Sequence, residues 1–245
     1  HAGIAAPPGT RPELARAVRI SPDALPSGLA RGLRNAYLVT GSEPLLIAEA
    51  CDAIRAAVRA QAPADREVHF LERGFDWNAL LADAANLSLF ASRRLIELRI
   101  GPTPDAEAGR ALAGLAQQPP EDAVLLVAGE VERKTLTTAW VKSFEEHGVL
   151  LVTQPVERPA LPGWIRERLG RKGVAIEPAA AELLADRVEG NLLAAQQAVD
   201  VAAEQCTVCH RAGQPLERPD RTDRMRVYER PAGGRVLAVI EPIPN

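Results

Sequence analysis

One stretch decides the fold class of this chain: Ala123-Val124-Leu125-Leu126-Val127-Ala128. It is apolar at every position, which is typical of a parallel strand that is buried on both of its faces. Residues 149–152, Val-Leu-Leu-Val, repeat this pattern after a helix predicted at 135–147 and a glycine, Gly148, that predicts the end of that helix. The sequence therefore indicates two parallel strands that are joined by a helix.

The same alternation of strands and helices extends toward the N-terminus. Residues 36–40 predict a strand, and residues 45–60, which are apolar at helical spacing, predict the helix that follows it. The remaining elements come in order: strands at 67–71 and 94–100, and helices at 77–85 and 106–116. Five strands alternating with helices favour an α/β fold with an open, mostly parallel sheet and helices on both faces.

The composition divides the chain into four segments. Residues 1–16 are rich in Ala, Pro and Gly and predict a disordered leader, and residues 17–155 form the predicted α/β domain. Residues 156–204 carry only helical patterns and predict a small three-helix domain. Residues 205–245 are rich in Pro, Gly and Arg and predict an atypical, poorly structured tail, in which only 235–240 indicates a strand.

Composition and charge restrict the possible functions. Hydrophobic residues make up 47% and charged residues 25% of the chain, which is typical of a globular protein. The formal net charge is −3, whereas a protein that binds nucleic acid by itself usually carries a basic patch. We therefore expect any role at DNA to depend on a partner. Neither a secretory signal nor a bilayer-spanning stretch is recognisable, so the expected location is the cytoplasm.

The turn after the first predicted strand is a candidate phosphate loop, formed by Gly41, Ser42, Glu43 and Pro44. A working loop needs several glycines, a lysine followed by Ser or Thr, and backbone N–H groups that face the phosphates. This turn has one glycine and no lysine, Glu43 would repel phosphate, and Pro44 lacks a donor. We interpret it as a degenerate phosphate loop without nucleotide or other cofactor, and an active P-loop NTPase is the alternative.

A second candidate site is the C-x-x-C-H pattern of Cys206, Cys209 and His210. Covalent haem attachment uses this pattern, with both thiols bound to the haem and the histidine bound to the iron. The same residues could supply half of a zinc site, although the sequence has no second Cys/His pair at ligand spacing. We favour an incidental arrangement, so no metal is predicted, and a metal- or haem-binding protein is the other alternative.

A third candidate is the apolar connection formed by Leu87, Ser88, Leu89 and Phe90, between a predicted helix and a predicted strand. Connections of this kind usually lie at the surface and are polar. Two interpretations are open: a buried connection that packs on the sheet, or an apolar plug that enters a pocket of a partner protein. In the second case Leu89 and Phe90 would each contribute on the order of 1.5 to 3 kcal/mol, enough for a binding hot spot.

Several segments, in a characteristic order and spacing, together carry a family resemblance. They are 37–46 (YLVTGSEPLL), 73–77 (RGFDW), 87–90 (LSLF), 93–98 (RRLIEL), 138–140 (TAW) and 188–195 (VEGNLLAA). By these segments the chain resembles the delta subunit family of bacterial DNA polymerase III. The resemblance covers roughly residues 18–203.

The resemblance implies an AAA-type fold that has lost ATP binding, in agreement with the missing lysine. It implies no intrinsic catalysis, but a clamp-loader subunit of the polymerase holoenzyme that binds and opens the beta sliding clamp for loading onto primed DNA. The family's clamp contact, a Ser-Leu-Phe turn, maps onto Ser88, Leu89 and Phe90, beside Leu87. The implied partners are the beta clamp and the gamma/tau and delta-prime subunits, with primed DNA reached indirectly and no membrane.

The chain departs from the family pattern in two places. The clamp motif of the family often begins with Gln three residues before the serine, where this chain has Ala85. The family also has a helical collar domain after the small helical module, and residues 205–245 do not resemble it. We therefore expect clamp binding by the α/β domain, whereas assembly with the other loader subunits is expected to require the collar.

Overall fold

The computed structural model of the protein describes residues 18–85, 93–212, 225–229 and 235–240. The predicted leader, residues 1–16, lies outside them. The chain divides into two compact units, with the boundary between Gln154 and Pro155. Among the described residues, no helix has the length and the apolar composition that crossing a membrane would require.

The first unit alternates strands and helices, as predicted. Its strands are β1 (Val18–Ile20), β2 (Ala36–Gly41), β3 (Ala64–Phe70), β4 (Arg93–Arg99), β5 (Ala123–Gly129) and β6 (Val149–Thr153). Its helices are α1 (Leu25–Arg31), α2 (Pro44–Gln61), α3 (Trp77–Ala85), α4 (Ala106–Gln117) and α5 (Ala139–His147). The strands form one parallel sheet in the order β1-β6-β2-β5-β4-β3. The predicted parallel α/β sheet is confirmed.

Helices cover both faces of this sheet, as the sequence predicts. On one face, α1 and α2 pack on a layer that includes Tyr37, Val39 and Leu126. Their neighbours in the same strands, Leu38 and Leu125, face the other way and pack in one layer with α3, α4 and α5. Because side chains alternate along a strand, the apolar residues 36–39 of β2 and 123–128 of β5 supply both layers.

Local sequence sets the boundaries of α2. Pro44 occupies the first turn, where the N–H group that proline lacks would have no helical partner. The carboxylate of Glu43 accepts a hydrogen bond of 3.3 Å from the backbone N–H of Leu45 and caps the helix. The helix ends at Gln61, just before Pro63. Its buried stripe follows helical spacing: Ile47, Ala50, Cys51, Ile54 and Val58.

Apart from shifts of a single residue at other ends, the strands β1 and β3 and the helix α5 differ from the prediction. No strand is predicted at β1, which is a strand only because Val18 and its two successors pair with β6. Strand β3 begins at Ala64 rather than at 67, because the charged, exposed residues at its start conceal it in the sequence. The helix predicted at 135–147 begins only at Ala139, after a 3₁₀ turn over Arg133–Thr137.

The second unit contains three helices and a small sheet. The helices are α6 (Leu161–Arg171), α7 (Pro178–Arg187) and α8 (Leu192–Ala212), and the strands are β7 (Ala175–Ile176), β8 (Met225–Glu229) and β9 (Arg235–Ile240). Strand β9 pairs in parallel with β7 and antiparallel with β8. The buried core of the second unit is small and includes Leu161, Ile165, Leu169, Ala181 and Val199.

The third helix of this unit does not end at the predicted boundary at 204. Helix α8 continues to Ala212, and the first helix-breaking residues after that boundary are Gly213 and Pro215. In the tail that the sequence predicts to be poorly structured, the described residues therefore comprise the end of α8 and the strands β8 and β9.

Candidate functional site

The predicted clamp contact, Leu87, Ser88, Leu89 and Phe90, lies outside the residues that the structure describes. The elements on either side of it are described, because α3 ends at Ala85 and β4 begins shortly after the contact. The sequence prediction for these four residues stays a prediction.

Both flanking elements are fixed in the core of the first unit. The carboxylate of Asp76 accepts a hydrogen bond of 3.0 Å from the backbone N–H of Ala79, and so caps the start of α3. Trp77 and Leu80 of α3 and Ile96 of β4 are buried in the same hydrophobic cluster. The segment between α3 and β4 is therefore attached to two well-packed elements.

The residues of the predicted degenerate phosphate loop have structural roles. Gly41 has a φ of +143°, and a Cβ atom at this position would overlap the backbone of Thr153 in β6. The side chain of Glu43 accepts the hydrogen bond from the N–H of Leu45, one of the helix N-terminal donors that a bound anion would use. Pro44 supplies no N–H at all. The glycine thus serves close strand packing, and the turn offers few donors for a phosphate.

The polar side chains around this turn carry no positive charge. Ser42 is exposed, whereas Thr40 and Thr153 are buried, and their hydroxyl groups have no hydrogen-bond partner among the described residues. Phosphate binding relies on cationic side chains such as the lysine of a working phosphate loop. Residues 40–44 contain neither Lys nor Arg, so the turn lacks that group.

A buried charge cluster, here called the Glu97 cluster, lies on the α2 side of the sheet. Glu97 of β4 is 1% exposed and accepts hydrogen bonds from Arg55 at 2.7 and 3.0 Å and from Arg66 at 2.6 and 3.2 Å. Arg99 donates to it at 3.3 Å, and Asp52 pairs with Arg55 from the exposed side. One carboxylate thus connects α2, β3 and β4.

These contacts keep the cluster ionised. Burial acts to raise the pKa of Glu97, but the hydrogen bonds from Arg55 and Arg66 outweigh it and lower the pKa to about 2, from an ordinary value of 4.5. The hydrogen bond to Glu97 raises the pKa of Arg55 in turn, against the effect of desolvation. A carboxylate with so low a pKa is a poor general base, so the cluster is suited to holding secondary structure together.

The order of residues along the chain does not predict the Glu97 cluster. Its local signal is weak: a glutamate between the apolar residues Ile96 and Leu98, and an arginine, Arg55, beside the apolar stripe of α2. The contacts themselves are long-range, because Arg55 and Arg66 lie 42 and 31 residues from Glu97 in the chain. Only the fold brings these charges together.

The C-x-x-C-H pattern falls within a helix. Cys206, Cys209 and His210 belong to α8, although their side chains lie outside those that the structure describes. Among the side chains that are described, no group of three or more His, Cys, Asp or Glu residues could hold a metal ion. The pattern is thus part of the continuous third helix rather than of a loop-rich tail.

A cleft of about 240 Å³ lies at the carboxyl ends of β3 and β4. Phe75, Trp77, Pro102 and Asp105 are among its lining residues, so the segment 73–77, which carries part of the family resemblance, forms one wall. Acidic residues outnumber basic ones in this lining. Repulsion between like charges therefore disfavours a phosphate ligand in this cleft.

Comparison with known proteins gives relatives in one family. Residues 37–154 match the family model for DNA polymerase III, delta subunit. The chain is 32% identical over 185 residues to DNA polymerase III subunit delta of Escherichia coli, and 27% identical over 188 residues to that of Haemophilus influenzae. Each alignment covers 75% of this chain and 54% of the relative, so the chain spans about half the length of these proteins.

A solved structure shares the fold. The DNA clamp loader delta protein of Bacillus subtilis matches with a TM-score of 0.59 and 18% sequence identity, over 75% of this chain and 57% of that one. This likeness is evidence for the fold, and it agrees with the predicted α/β class. The family model and the two relatives, by contrast, show that residues 37–154 of this chain belong to the DNA polymerase III delta subunit family.

Proposed function

We propose that this chain is a clamp-loader delta subunit that binds the beta sliding clamp through Leu87, Ser88, Leu89 and Phe90 and opens the ring. The observation that carries this proposal is the family match over residues 37–154, because the matched region includes these four residues. The names of the relatives, DNA polymerase III subunit delta, support the role in replication.

The packing around the proposed contact is suited to presenting an apolar turn. Trp77 and Leu80 hold α3 in the core, and the buried residues of β4 hold the other side. A contact segment on a rigid scaffold loses less conformational entropy on binding than a free one. In a clamp pocket, burial of Leu89 and Phe90 would supply on the order of 1.5 to 3 kcal/mol each.

Clamp opening follows from differential binding in this proposal. A protein that binds the open or strained ring more tightly than the closed ring shifts the equilibrium toward the open form by the difference in binding free energy. No covalent chemistry and no nucleotide are needed for that step. The degenerate turn at Gly41 to Pro44 is consistent with this, because Glu43 and Pro44 remove donors that a phosphate would need.

The proposed partners are the beta clamp and the gamma/tau and delta-prime subunits of the loader. In this arrangement the chain is a non-catalytic component of the polymerase holoenzyme in the cytoplasm and reaches primed DNA through its partners. The net charge of −3 supports an indirect route to DNA, because direct binding to phosphates usually requires a basic surface.

Titration of a cognate sliding clamp tests the proposed contact. We expect Leu89→Ala and Phe90→Ala each to weaken clamp binding by about 10- to 150-fold, as the loss of 1.5 to 3 kcal/mol implies. Leu193→Ala is the matched control, because Leu193 is a large apolar residue of the second unit that is 54% exposed. Equal clamp affinity for the wild type and both loop variants would refute the proposed site.

A second measurement separates clamp binding from clamp opening. Fluorophores placed across one clamp interface report ring opening, and we expect their separation to increase when the wild-type chain binds. A separate measurement follows the thermal denaturation of the chain alone with and without ATP at millimolar concentration. Nucleotide-dependent thermal stabilisation of the chain alone would favour the alternative, a P-loop NTPase, over a degenerate phosphate loop.

A further inference from the structure

Strand β3 forms a free edge of the parallel sheet. The strand order ends at β3, so its outer edge has no strand partner among the described residues. The N–H and C=O groups along such an edge can pair with an additional strand. The opposite edge, β1, has only three residues, whereas β3 has seven. Of the two edges, β3 is the one that is long enough to pair with an extended segment.

One face of β3 ends in exposed apolar residues. Ala64 packs in the cluster on the α2 side, so alternation places Arg66, Val68 and Phe70 on that side as well. Phe70 is 67% exposed and Val68 is 37% exposed. Charged side chains normally protect an edge strand, and Asp65, Arg66 and Glu67 do so in the first half of β3, whereas Val68 and Phe70 give no such protection. We call the surface formed by Arg66, Val68, Phe70 and Arg99 the β3 face. Its exposed apolar side chains would gain free energy if a partner covered them.

The β3 face carries an excess of positive charge beside these apolar groups. Arg99 lies directly opposite Phe70 in the register of β3 and β4. Its side chain is 32% exposed and that of Arg66 is 48% exposed, although both also contact Glu97. In the Glu97 cluster three guanidinium groups face two carboxylates, which leaves one positive charge. A carboxylate of a partner would complement that charge.

The opposite side of β3 has a different character. Asp65 is exposed there, and Glu67 pairs with the buried Arg94 at 3.0 Å. His69 follows on the same side and lies 3.8 Å from Glu67. A strand added at this edge would therefore meet carboxylates on one side, and an arginine followed by two apolar residues on the other. This asymmetry defines the sequence pattern that such a strand would need.

We propose that the free edge of β3 binds an extended segment of a partner protein by strand addition. The segment carries an acidic residue that faces Arg66 and apolar residues, at alternate positions, that face Val68 and Phe70. Backbone hydrogen bonds supply affinity in this mode, and alternate side chains supply specificity. This proposal does not depend on the proposed clamp contact.

A peptide fits this surface better than a nucleic acid does. Single-stranded nucleic acids bind to series of stacked aromatic residues in a basic groove. The β3 face has one aromatic residue, Phe70, and the adjacent side of the same strand presents the carboxylates of Asp65 and Glu67. Those carboxylates would repel phosphates, whereas an edge strand offers a row of backbone groups that match an extended peptide.

The test uses the full chain and fluorescent seven-residue peptides with blocked ends. Each peptide has one terminal glutamate, valine at the alternate positions that follow it, and threonine at the positions between. Peptides with the glutamate at either end cover both strand directions. We expect one of them to bind, and its affinity to fall at least tenfold when lysine replaces the glutamate. Amide hydrogen exchange along 64–70 should slow on binding, because strand addition protects the outer edge. No binding at millimolar peptide overturns the proposal.

Variants of the chain locate the binding surface. We expect Phe70→Ser and Arg66→Ala each to weaken peptide binding at least tenfold, and the control Leu193→Ser, at a site of comparable exposure in the second unit, to leave it unchanged. Circular dichroism verifies that each variant is folded. Unchanged binding by Phe70→Ser overturns the proposal, whereas Leu89→Ala, which tests the clamp contact, should have no effect on the peptide.

Two further results would assign the β3 face to another kind of partner and thereby overturn the proposal that it binds a peptide segment. One is binding of a single-stranded oligonucleotide that Phe70→Ser abolishes, which would indicate base stacking. The other is a concentration-dependent dimer in analytical ultracentrifugation that Phe70→Ser dissociates, which would indicate pairing between two copies of this chain. The unlabelled wild-type chain serves as the reference in both measurements.

Discussion

Strands β5 and β3 have the same length and belong to the same sheet, but they differ in the polarity and the burial of their side chains. All residues of β5 except the last are buried, and they are apolar. In β3 no residue is fully buried, and Asp65, Arg66 and Glu67 stand in the middle of the strand. The central strand is held by apolar layers on both faces, whereas the edge strand is held to β4 partly by ion pairs.

The difference shows where a parallel sheet can carry charge. Ion pairs between Arg66 and Glu97, and between Arg94 and Glu67, cross from β3 to β4 on opposite faces of the sheet. A buried ion pair is not necessarily more stable than an apolar pair, but loss of one partner leaves an uncompensated charge. Removal of charge should therefore affect the β3 side most, and removal of apolar volume should affect β5 most.

The largest effect is expected from Glu97→Ala. This change leaves the guanidinium groups of Arg55 and Arg66 without the carboxylate that they share, and such a loss costs about 3 to 5 kcal/mol of unfolding free energy. Urea denaturation measures it. Asp65→Ala is the control, because Asp65 is an exposed carboxylate of β3. A loss below about 1 kcal/mol for Glu97→Ala would contradict a structural role of the cluster.

Leu126→Ala should have a comparable or slightly smaller effect. Leu126 in β5 is 0% exposed, and truncation of such a residue costs about 2 to 5 kcal/mol through lost burial and a residual cavity. In β3, Val68→Ala should change the unfolding free energy by about 0.5 kcal/mol or less, because Val68 is partly exposed. Similar losses for the two variants would remove the distinction between the two strands.

Acid should weaken the β3 side selectively. Because the pKa of Glu97 is lowered from 4.5 to about 2, its ionisation contributes stability above pH 4.5, and that contribution is lost as the pH falls toward 2. The full contribution is on the order of 3 kcal/mol. Urea denaturation of wild type and Glu97→Gln at pH 6, 4 and 3 tests this. Parallel pH profiles for the two proteins would show that Glu97 is not responsible.

A smaller effect is expected at the end of β5. A Cβ atom on Gly129 would overlap the backbone of Ile100, so Gly129→Ala should cost about 1 to 3 kcal/mol through overpacking. Gly101→Ala is the matched control, because a Cβ atom there would have no neighbour within 4 Å. Thermal denaturation compares the two variants. Equal melting temperatures would mean that the end of β5 is less closely packed than the structure indicates.

The sequence predicts β5, β6 and β2 well because each is a continuous apolar run between clear breaks. It does not predict β1, whose three residues have no pattern of their own and depend on pairing with β6. It places the end of α8 too early, because Cys206 to His210 interrupt the apolar pattern while the backbone stays helical. Local patterns thus identify elements that bury a face, and they fail where pairing alone defines an element.

The candidate sites also differ in whether local residue types are enough to predict them. The turn from Gly41 to Pro44 could be interpreted from residue types, because phosphate binding has strict local requirements. The Glu97 cluster could not, since Arg55, Arg66 and Glu97 are far apart in the chain and meet only in the fold. The proposed clamp contact rests on family resemblance, because by residue type alone three apolar residues in a connection favour packing on the sheet.

The strand order has a consequence for biosynthesis. Strand β2 is made early, yet it lies between β6 and β5, so both of its neighbours are translated after it. From Gly41 to Thr153 the ribosome adds about 110 residues, which takes roughly 6 to 20 seconds at typical bacterial rates. For most of that interval β2, the most apolar strand of the N-terminal third, has neither partner, because β5 is complete only at Gly129. We therefore expect nascent chains to need chaperone protection until β6 has left the ribosome.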